Sequence, residues 1–342
     1  MSTVADDATG SATATLTDRP VDRAAARSTG GPGARGGRRL SATWRKRLEV
    51  AFFVSPALAL FGVFVVVPVV QAVRYSVYSW NGLGPLDDFV GLANYARALQ
   101  DTVFTGAVLN NLTIVVLSIL IQLPLGLGVA LLLDREMWGR TAMRVIVFMP
   151  YVLAEVVAGV VWFMLLQPNG PVDAALEAVG LGSLVQVWLG DPEIALYTVM
   201  VVLTWKYLGL AVILFLAGLQ GIPTELYEAA QLDGASWWQV QRRITVPLLG
   251  PTVRTWAFLS MIGSLQLFDM VWILTKGGPA NSTMTMAIYL INQGTNRSLY
   301  GYASAVAVLL FVISLVLALT YQRLILRRDT HDTPRTPRKV TR

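Results

Sequence analysis

The stretch that decides the fold is residues 225–251, ELYEAAQLDGASWWQVQRRITVPLLGP, a long polar interruption between two apolar runs. Pro223 lies just before it, and a proline is tolerated at a helix start because its missing N–H has no partner there. Asp233 is followed by Gly234, and glycine commonly ends a helix in the left-handed conformation. The pattern predicts a short helix over residues 224–232 that ends at Gly234.

A second helix is predicted directly after this turn. Ser236 is followed three residues later by Gln239, which is the spacing of a capping box. The residue before a proline is disfavoured in a helix, so we expect the second helix to break or bend before Pro247. Residues 221–251, here called the knuckle, are therefore predicted to form a compact helix–turn–helix between two membrane spans.

The first helix of the knuckle has an acidic surface with small side chains. Glu225, Glu228 and Asp233 supply the charge, and Ala229 and Ala230 leave room for a partner to approach the backbone. An alternative is an interfacial helix whose glutamates are favoured near the positive end of the helix dipole. The residues of the knuckle alone leave both interpretations open.

The spacing within the knuckle resembles the EAA loop of ABC-importer permeases. The family pattern is E-A-A, three residues, G, nine residues and I-x-L-P, and it is matched here through Ile244 and Pro247, with Val246 in place of leucine. In that family the loop docks into a separate cytoplasmic ATPase. The resemblance implies an ATPase-coupling surface formed by Glu228, Ala229, Ala230, Asp233 and Gly234.

Composition indicates an all-α membrane protein. Hydrophobic residues make up 54% of the chain and charged residues 14%, and apolar stretches near 20 residues long are typical of membrane-spanning helices. The chain has no cysteine, which excludes disulfides and thiolate metal sites. Its one histidine, His331, lies in a charged tail and is expected to be solvated. Six spans are predicted, at residues 50–73, 107–133, 142–166, 194–219, 252–275 and 302–326.

Both ends of the chain are predicted to be disordered. Residues 1–43 and the basic residues 329–342 have too few large apolar side chains to offset the entropy of ordering, which leaves residues 44–328 as the transmembrane permease domain. The basic N-terminal tail could contact nucleic acid, but an anchor beside the first span is favoured. The first apolar run begins near residue 50 and exceeds the length of a signal peptide, which argues against cleavage.

The distribution of lysine and arginine predicts the orientation. Twenty-two of these residues flank the spans on one side and four on the other, while Lys206 lies inside a span. Residues 167–193 contain neither. Because positive charge is retained in the cytoplasm, both termini and the knuckle are predicted to be cytoplasmic. This assignment is independent of the family resemblance.

Two further segments narrow the resemblance to the carbohydrate branch of these permeases, which includes the maltose-type and glycerol-phosphate-type importers. They are residues 79–95, with Ser79-Trp80-Asn81-Gly82, and residues 274–283, with Gly277-Gly278-Pro279, a motif typical of a tight external turn. The likeness covers residues 50–328. It implies an ABC type I importer in a prokaryotic plasma membrane, which carries a di- or oligosaccharide inward. The implied partners are a second, similar permease, two ATPase subunits and an extracytoplasmic, lipid-anchored sugar-binding protein.

Three ionisable side chains lie within predicted spans: Glu155, Lys206 and Asp269. Such groups are costly in a bilayer and usually face protein or a water-filled cavity. One interpretation is structural, with Lys206 paired to a carboxylate; the other is a sugar path. The path would include the three ionisable residues Glu155, Lys206 and Asp269. Resemblance to the maltose-type importer places Lys206, Tyr207, Ser264 and Gln266 near it.

The motifs argue against an enzyme. There is no nucleophile–base pair, metal-ligand cluster or G-x-x-x-x-G-K-[ST] loop, so ATP and Mg²⁺ are expected to bind to a partner ATPase, with no cofactor in this chain. A secondary transporter would need its own coupling-ion site, for which the three charged residues are candidates, but would leave the knuckle without a purpose. A membrane receptor or scaffold would explain the knuckle but not polar groups in three spans. We therefore expect a permease subunit that works by alternating access.

Overall fold

The computed structural model describes residues 42–325, which are mostly helical. Within them there is no β-strand, only one isolated bridge between Tyr78 and Phe89. Apart from Ala42 and Thr43, the predicted tails lie outside the described residues, as does His331. The contacts divide the chain at Ala59 into two units.

Within the described residues the α-helices number sixteen, joined at several points by π-helical turns. Their bounds are α1 Ala42–Phe61, α2 Val67–Tyr75, α3 Ala93–Gln100, α4 Thr102–Leu117, α5 Leu123–Asp134, α6 Arg140–Val152, α7 Glu155–Leu165, α8 Pro171–Ala178, α9 Ala195–Gln220, α10 Thr224–Leu232, α11 Trp237–Val240, α12 Val246–Leu248, α13 Gly250–Leu265, α14 Asp269–Leu274, α15 Met286–Ile291 and α16 Tyr300–Leu324. In the first unit, α1 carries Trp44 with the Arg47 guanidinium 5.9 Å from its ring centre.

Two of the six predicted spans are broken helices. The predicted span 142–166 consists of α6 and α7, which meet at a bend of 98°. The predicted span 252–275 consists of α13 and α14, which are separated by residues 266–268. The described residues thus contain four continuous helices that are long and apolar enough to cross a membrane, or five with the bent pair. The four are Glu49–Tyr75, Thr102–Asp134, Ala195–Gln220 and Tyr300–Leu324.

The first half of the knuckle has the predicted structure. Helix α10 covers Thr224–Leu232, and Gly234 has a φ of +70°. The Gly234 N–H donates to the carbonyl of Gln231 at 3.0 Å and the Ala235 N–H to that of Ala230 at 2.9 Å. These two bonds form a Schellman motif, which satisfies carbonyls at the end of the helix. The predicted capping box is also present at the start of α11, where Gln239 Oε1 accepts from the Ser236 N–H at 2.7 Å.

The helix was predicted to break or bend before Pro247, and the break does not occur. Thr245 and Val246 both keep helical dihedrals, and the turn Gln241–Thr245 is π-helical. The same arrangement precedes Pro124, where the π turn is Ser118–Gln122. A proline ring clashes with the carbonyl four residues earlier in an α-helix, and a π turn bonds five residues back instead of four. The wider turn therefore accommodates the proline without ending the helix.

Helix α9 is the central element of the second unit, and packs against α5, α6 and α13. Contact with α5 is close: a Cβ added to Gly126 would lie 2.7 Å from the Ala211 Cβ. The buried side chains form two clusters. One gathers around Phe104, Val199 and Tyr289, and the other around Phe215. The junction of these clusters positions the cavity described next.

Candidate functional site

A cavity of about 160 Å³ lies where the two buried clusters meet. Helix α9 contributes one wall, α4 with the π turn before Pro124 a second, and α13 a third. Its lining residues are Ile114, Ser118, Gln122, Leu203, Tyr207, Leu210, Trp256, Leu259, Ser260, Gly263, Ser264 and Leu267.

The polar side chains of the cavity are neutral. Ser260 and Ser264 lie one turn apart on α13 and so share a face. Gln122 is only 4% exposed and lines the cavity. Its side-chain amide can both donate and accept hydrogen bonds, so it can bind a polar molecule inside the cavity. Among the described residues that line the cavity, none carries a charge. The arrangement suits neutral hydroxyl groups and, through Trp256 and Tyr207, the apolar face of a ring.

Tyr207 and Ser264 are the predicted path residues that line the cavity. Lys206 points elsewhere: it is 2% exposed and its Nζ donates to the carbonyls of Pro150 at 3.0 Å, Tyr151 at 3.2 Å and Leu153. These carbonyls belong to the end of α6, at the 98° bend. The geometry matches the structural interpretation of Lys206 rather than direct contact with the cavity.

Glu155 links the bend to the cavity wall. It is the first residue of α7, and its Oε1 lies 3.9 Å from the Lys206 Nζ. The same oxygen accepts a hydrogen bond of 2.9 Å from the Tyr207 hydroxyl. Glu155 does not line the cavity itself. It accepts a hydrogen bond from Tyr207, which does line the cavity.

Gln266 and Asp269 lie at the break between α13 and α14, with both side chains exposed, and neither is in the cavity lining among the described residues. Asn111 was not predicted as a site residue. Its side chain is fully buried; Nδ2 donates to the carbonyls of Ser264 at 2.7 Å and Leu265 at 3.3 Å, and Oδ1 accepts from the Met286 N–H at 2.9 Å.

Three polar residues that do line the cavity were not predicted either: Ser118, Gln122 and Ser260. Asn111 and Gln122 were visible in the sequence as amides inside a span, and Ser260 stands one helical turn before Ser264. The sequence does not show that α4 packs against α13; this is seen only in the tertiary structure.

The knuckle presents a second surface, with exposed apolar and acidic side chains. Glu228 is exposed, Leu232 is 89% exposed and Trp238 is 75% exposed. Ala230, by contrast, is buried within the chain. Of the two alanines in the motif, only Ala229 is therefore open to a partner.

The two ends of the helical bundle are marked by contacts between loops. At the knuckle end, the Arg135 guanidinium lies 4.4 Å from the ring centre of Trp237. At the other end, residues 163–168, at the end of α7 and just after it, share a surface pocket with residues 187–190 and 273–279. Helix α6 begins five positions after Arg135, and α7 ends at the second of these contacts.

Sequence comparison matches the chain to membrane components of transport systems. Residues 122–329 match the model of the family described as binding-protein-dependent transport system inner membrane component. A probable ABC transporter permease protein of Pyrococcus horikoshii is 37% identical over 274 residues, 80% of this chain and 94% of that protein. The diacetylchitobiose uptake system permease protein NgcF of Streptomyces coelicolor is 34% identical over 301 residues, 84% of this chain and 85% of that protein.

A solved structure shares the fold. A chain of a bacterial alginate ABC transporter, in complex with an alginate pentasaccharide-bound periplasmic protein, superposes with a TM-score of 0.75 at 24% identity. The match covers 87% of this chain and all of the other. The broken helices and the cavity therefore lie in a known architecture.

Proposed function

The chain belongs to the family of binding-protein-dependent transport system inner membrane components and is a transporter permease subunit rather than an enzyme; from this premise we propose that it carries a neutral di- or oligosaccharide into a prokaryotic cell. The named relative from Streptomyces takes up diacetylchitobiose, which supports a sugar as the substrate.

The observation that carries this proposal is the uncharged polar lining of the cavity. The Gln122 amide and the hydroxyls of Ser260 and Ser264 offer donors and acceptors for sugar hydroxyls. An acidic sugar would bring a carboxylate into a site that holds no positive side chain among its described lining residues, and an unpaired buried charge is costly. The proposal therefore favours neutral sugars over acidic ones.

A second permease subunit would complete the cavity. At about 160 Å³ it is smaller than the roughly 300–1,000 Å³ of typical small-molecule sites. It lies at the junction of helices from one chain, and a similar subunit across the translocation path would supply the remaining wall. The other partners of the complex would be two ATPase subunits, which bind ATP and Mg²⁺, and an extracytoplasmic binding protein.

Six crossings with both termini in the cytoplasm account for the loop contacts. Helix α9 has 26 residues and spans about 39 Å at 1.5 Å per residue, enough to cross a bilayer. Contacts near both ends of the bent pair α6–α7 support a crossing by that pair as well. The break between α13 and α14 lies within the fifth crossing.

The knuckle would transmit the motion of the ATPases. Glu228, Ala229, Asp233 and Gly234 lie on its exposed side, and Leu232 adds an apolar contact. Movement of this surface by the ATPases would rock the helices and open the cavity alternately to each side of the membrane.

Uptake by cells tests the substrate class. A strain that lacks the gene for this chain, complemented with the wild-type gene, should take up labelled diacetylchitobiose or maltose but not alginate pentasaccharide. Gln122→Leu should reduce the initial rate by about tenfold, since a sugar hydroxyl would lose its partner in a buried site. Gln266→Leu, at an exposed position outside the lining, should leave it unchanged.

Transport of the acidic sugar alone would contradict the neutral-sugar assignment. Equal rates in Gln122→Leu and wild-type cells, at equal amounts of protein in the membrane, would remove the cavity from the transport path.

A further inference from the structure

At both helix breaks, α6–α7 and α13–α14, a buried polar side chain from a neighbouring helix binds carbonyls at the end of the first helix. At the first break, Lys206 of α9 binds three carbonyls at the end of α6 and faces Glu155 at the start of α7. At the second, Asn111 of α4 binds the carbonyls of Ser264 and Leu265 at the end of α13. The two breaks thus share one arrangement.

A helix end leaves its last carbonyls without intrahelical partners. Within a bilayer an unsatisfied backbone group is costly, so a broken span persists only where other groups satisfy it. Lys206 and Asn111 do this from α9 and α4, whose own backbones continue past the break. Each side chain therefore ties a broken helix to a continuous one.

Each of these side chains also lies next to a residue of the cavity wall. Tyr207 follows Lys206 in the chain and bonds to Glu155, the carboxylate that faces Lys206. Ser264 lines the cavity, and its own carbonyl accepts from Asn111 at 2.7 Å. Neither Lys206 nor Asn111 is itself in the lining. Their effect on a bound molecule would be exerted through Tyr207 and Ser264.

We propose that Lys206 and Asn111 are positioning residues for the sugar site: they hold the two helix breaks so that Tyr207 and Ser264 face the cavity. This inference rests on the proposed function for its ligand, but the geometry of the wall is independent of which sugar binds.

The absence of cysteine from the chain makes a direct test possible. Ser260→Cys would place the only thiol of this chain on the cavity wall, and its reaction with a small hydrophilic thiol reagent would be followed in the complete reconstituted transporter with cysteine-free partners. Diacetylchitobiose and maltose, delivered by the binding protein, are the protecting probes. Asn111→Asp keeps the acceptor for Met286 but loses the donor, and Lys206→Met keeps the length but loses the charge.

Asn110 provides a matched control on the same helix. Its Nδ2 also donates to two carbonyls, those of Ser282 and Met284, both at 3.0 Å. These lie in the loop after α14, away from the breaks and the cavity lining. Asn110→Asp removes the same chemistry from a neighbouring position and should leave the cavity wall in place.

The expected result is that Asn111→Asp and Lys206→Met each raise the sugar concentration for half-protection of Ser260→Cys at least tenfold. Each should also change the labelling rate without sugar at least threefold, whereas Asn110→Asp should change neither. Unchanged protection and labelling in assembled Asn111→Asp and Lys206→Met complexes would overturn the proposal.

Where either variant fails to assemble, Asn111→Ser and Lys206→Gln replace it, since both retain a shorter donor. Failure of all four to assemble, with Asn110→Asp intact, would assign the two residues to folding alone and would also overturn it. A sugar that gives no protection of Ser260→Cys without a second substitution contradicts the proposed function instead. The labelling rates without sugar still decide the positioning role.

Discussion

At the residue scale, Gly234 shows how one backbone angle shapes a surface. Its φ of +70° turns the chain at the end of α10, and a Cβ added there would meet nothing within 4 Å. Any effect of a side chain at this position therefore comes from backbone strain and not from a clash. The same strain would change the angle at which α10 faces a partner.

Gly234→Ala should weaken the retention of the ATPase during purification by about fivefold, because a left-handed alanine costs about 1 kcal/mol. Glu228→Lys should have a larger effect, since reversing a charge at a desolvated contact costs roughly 2–5 kcal/mol. For each variant, the amount of ATPase that co-purifies and the sugar-stimulated rate of ATP hydrolysis would be measured.

Gly84 provides the control for Gly234. It has a φ of +72° and equally open space, but it lies in the loop between α2 and α3. Gly84→Ala should leave the ATPase bound. Equal loss in both glycine variants would show a general effect of strain, and no loss with Gly234→Ala or Glu228→Lys would exclude the knuckle as the coupling surface.

At the scale of elements, small residues decide how closely α5 and α9 approach. A Cβ on Gly126 would lie 2.7 Å from the Ala211 Cβ and 3.3 Å from the Phe215 ring. Ala130, one turn further along α5, is also fully buried. Small residues one turn apart are typical of close helix packing in membranes, where there is little hydrophobic driving force between helices.

Gly126→Ala should lower the melting temperature of the purified complex, because overpacking costs about 1–3 kcal/mol. Gly128→Ala, two residues away, adds the same methyl group where nothing lies within 4 Å, and should be neutral or slightly stabilising. Thermal unfolding of the two variants side by side gives the comparison. A melting temperature for Gly126→Ala equal to that of Gly128→Ala would mean that α5 and α9 can separate without cost.

At the scale of the whole molecule, the bend of 98° between α6 and α7 decides the topology. A pair bent this sharply either crosses the membrane as a broken span or returns to the side from which it entered. The contacts at the two ends of the bundle favour a crossing, since Arg135 meets the knuckle and residues 163–168 lie beside residues 273–279. The charge asymmetry of the sequence points the same way.

Reporter fusions distinguish the two topologies. Fusions after Arg140 and after Gln241 should report the cytoplasm, and a fusion near Glu177 should report the outside. The reason is that residues 167–193 contain no lysine or arginine to retain them inside. A cytoplasmic signal near Glu177, with the other two unchanged, would make α6–α7 a re-entrant pair.

Local patterns in the sequence were sufficient for the knuckle and for the membrane-embedded, helical character of the chain. The end of α10 at Gly234 and the capping box at Ser236 follow from bonds between residues a few positions apart, which the sequence displays directly. The expected break before Pro247 does not occur because a π turn can accommodate a proline as well as a break can.

The cavity and the helix breaks were decided by tertiary structure. Lys206 reaches the carbonyl of Pro150, 56 positions earlier, and Asn111 reaches that of Ser264, 153 positions later. A polar residue inside an apolar span shows that a partner is needed, because unpaired polar groups are costly there. It does not show which partner, since that depends on which helices pack together. For this reason the sequence identified Lys206 as important, while only the packing placed it at the end of α6 and left Tyr207 facing the cavity.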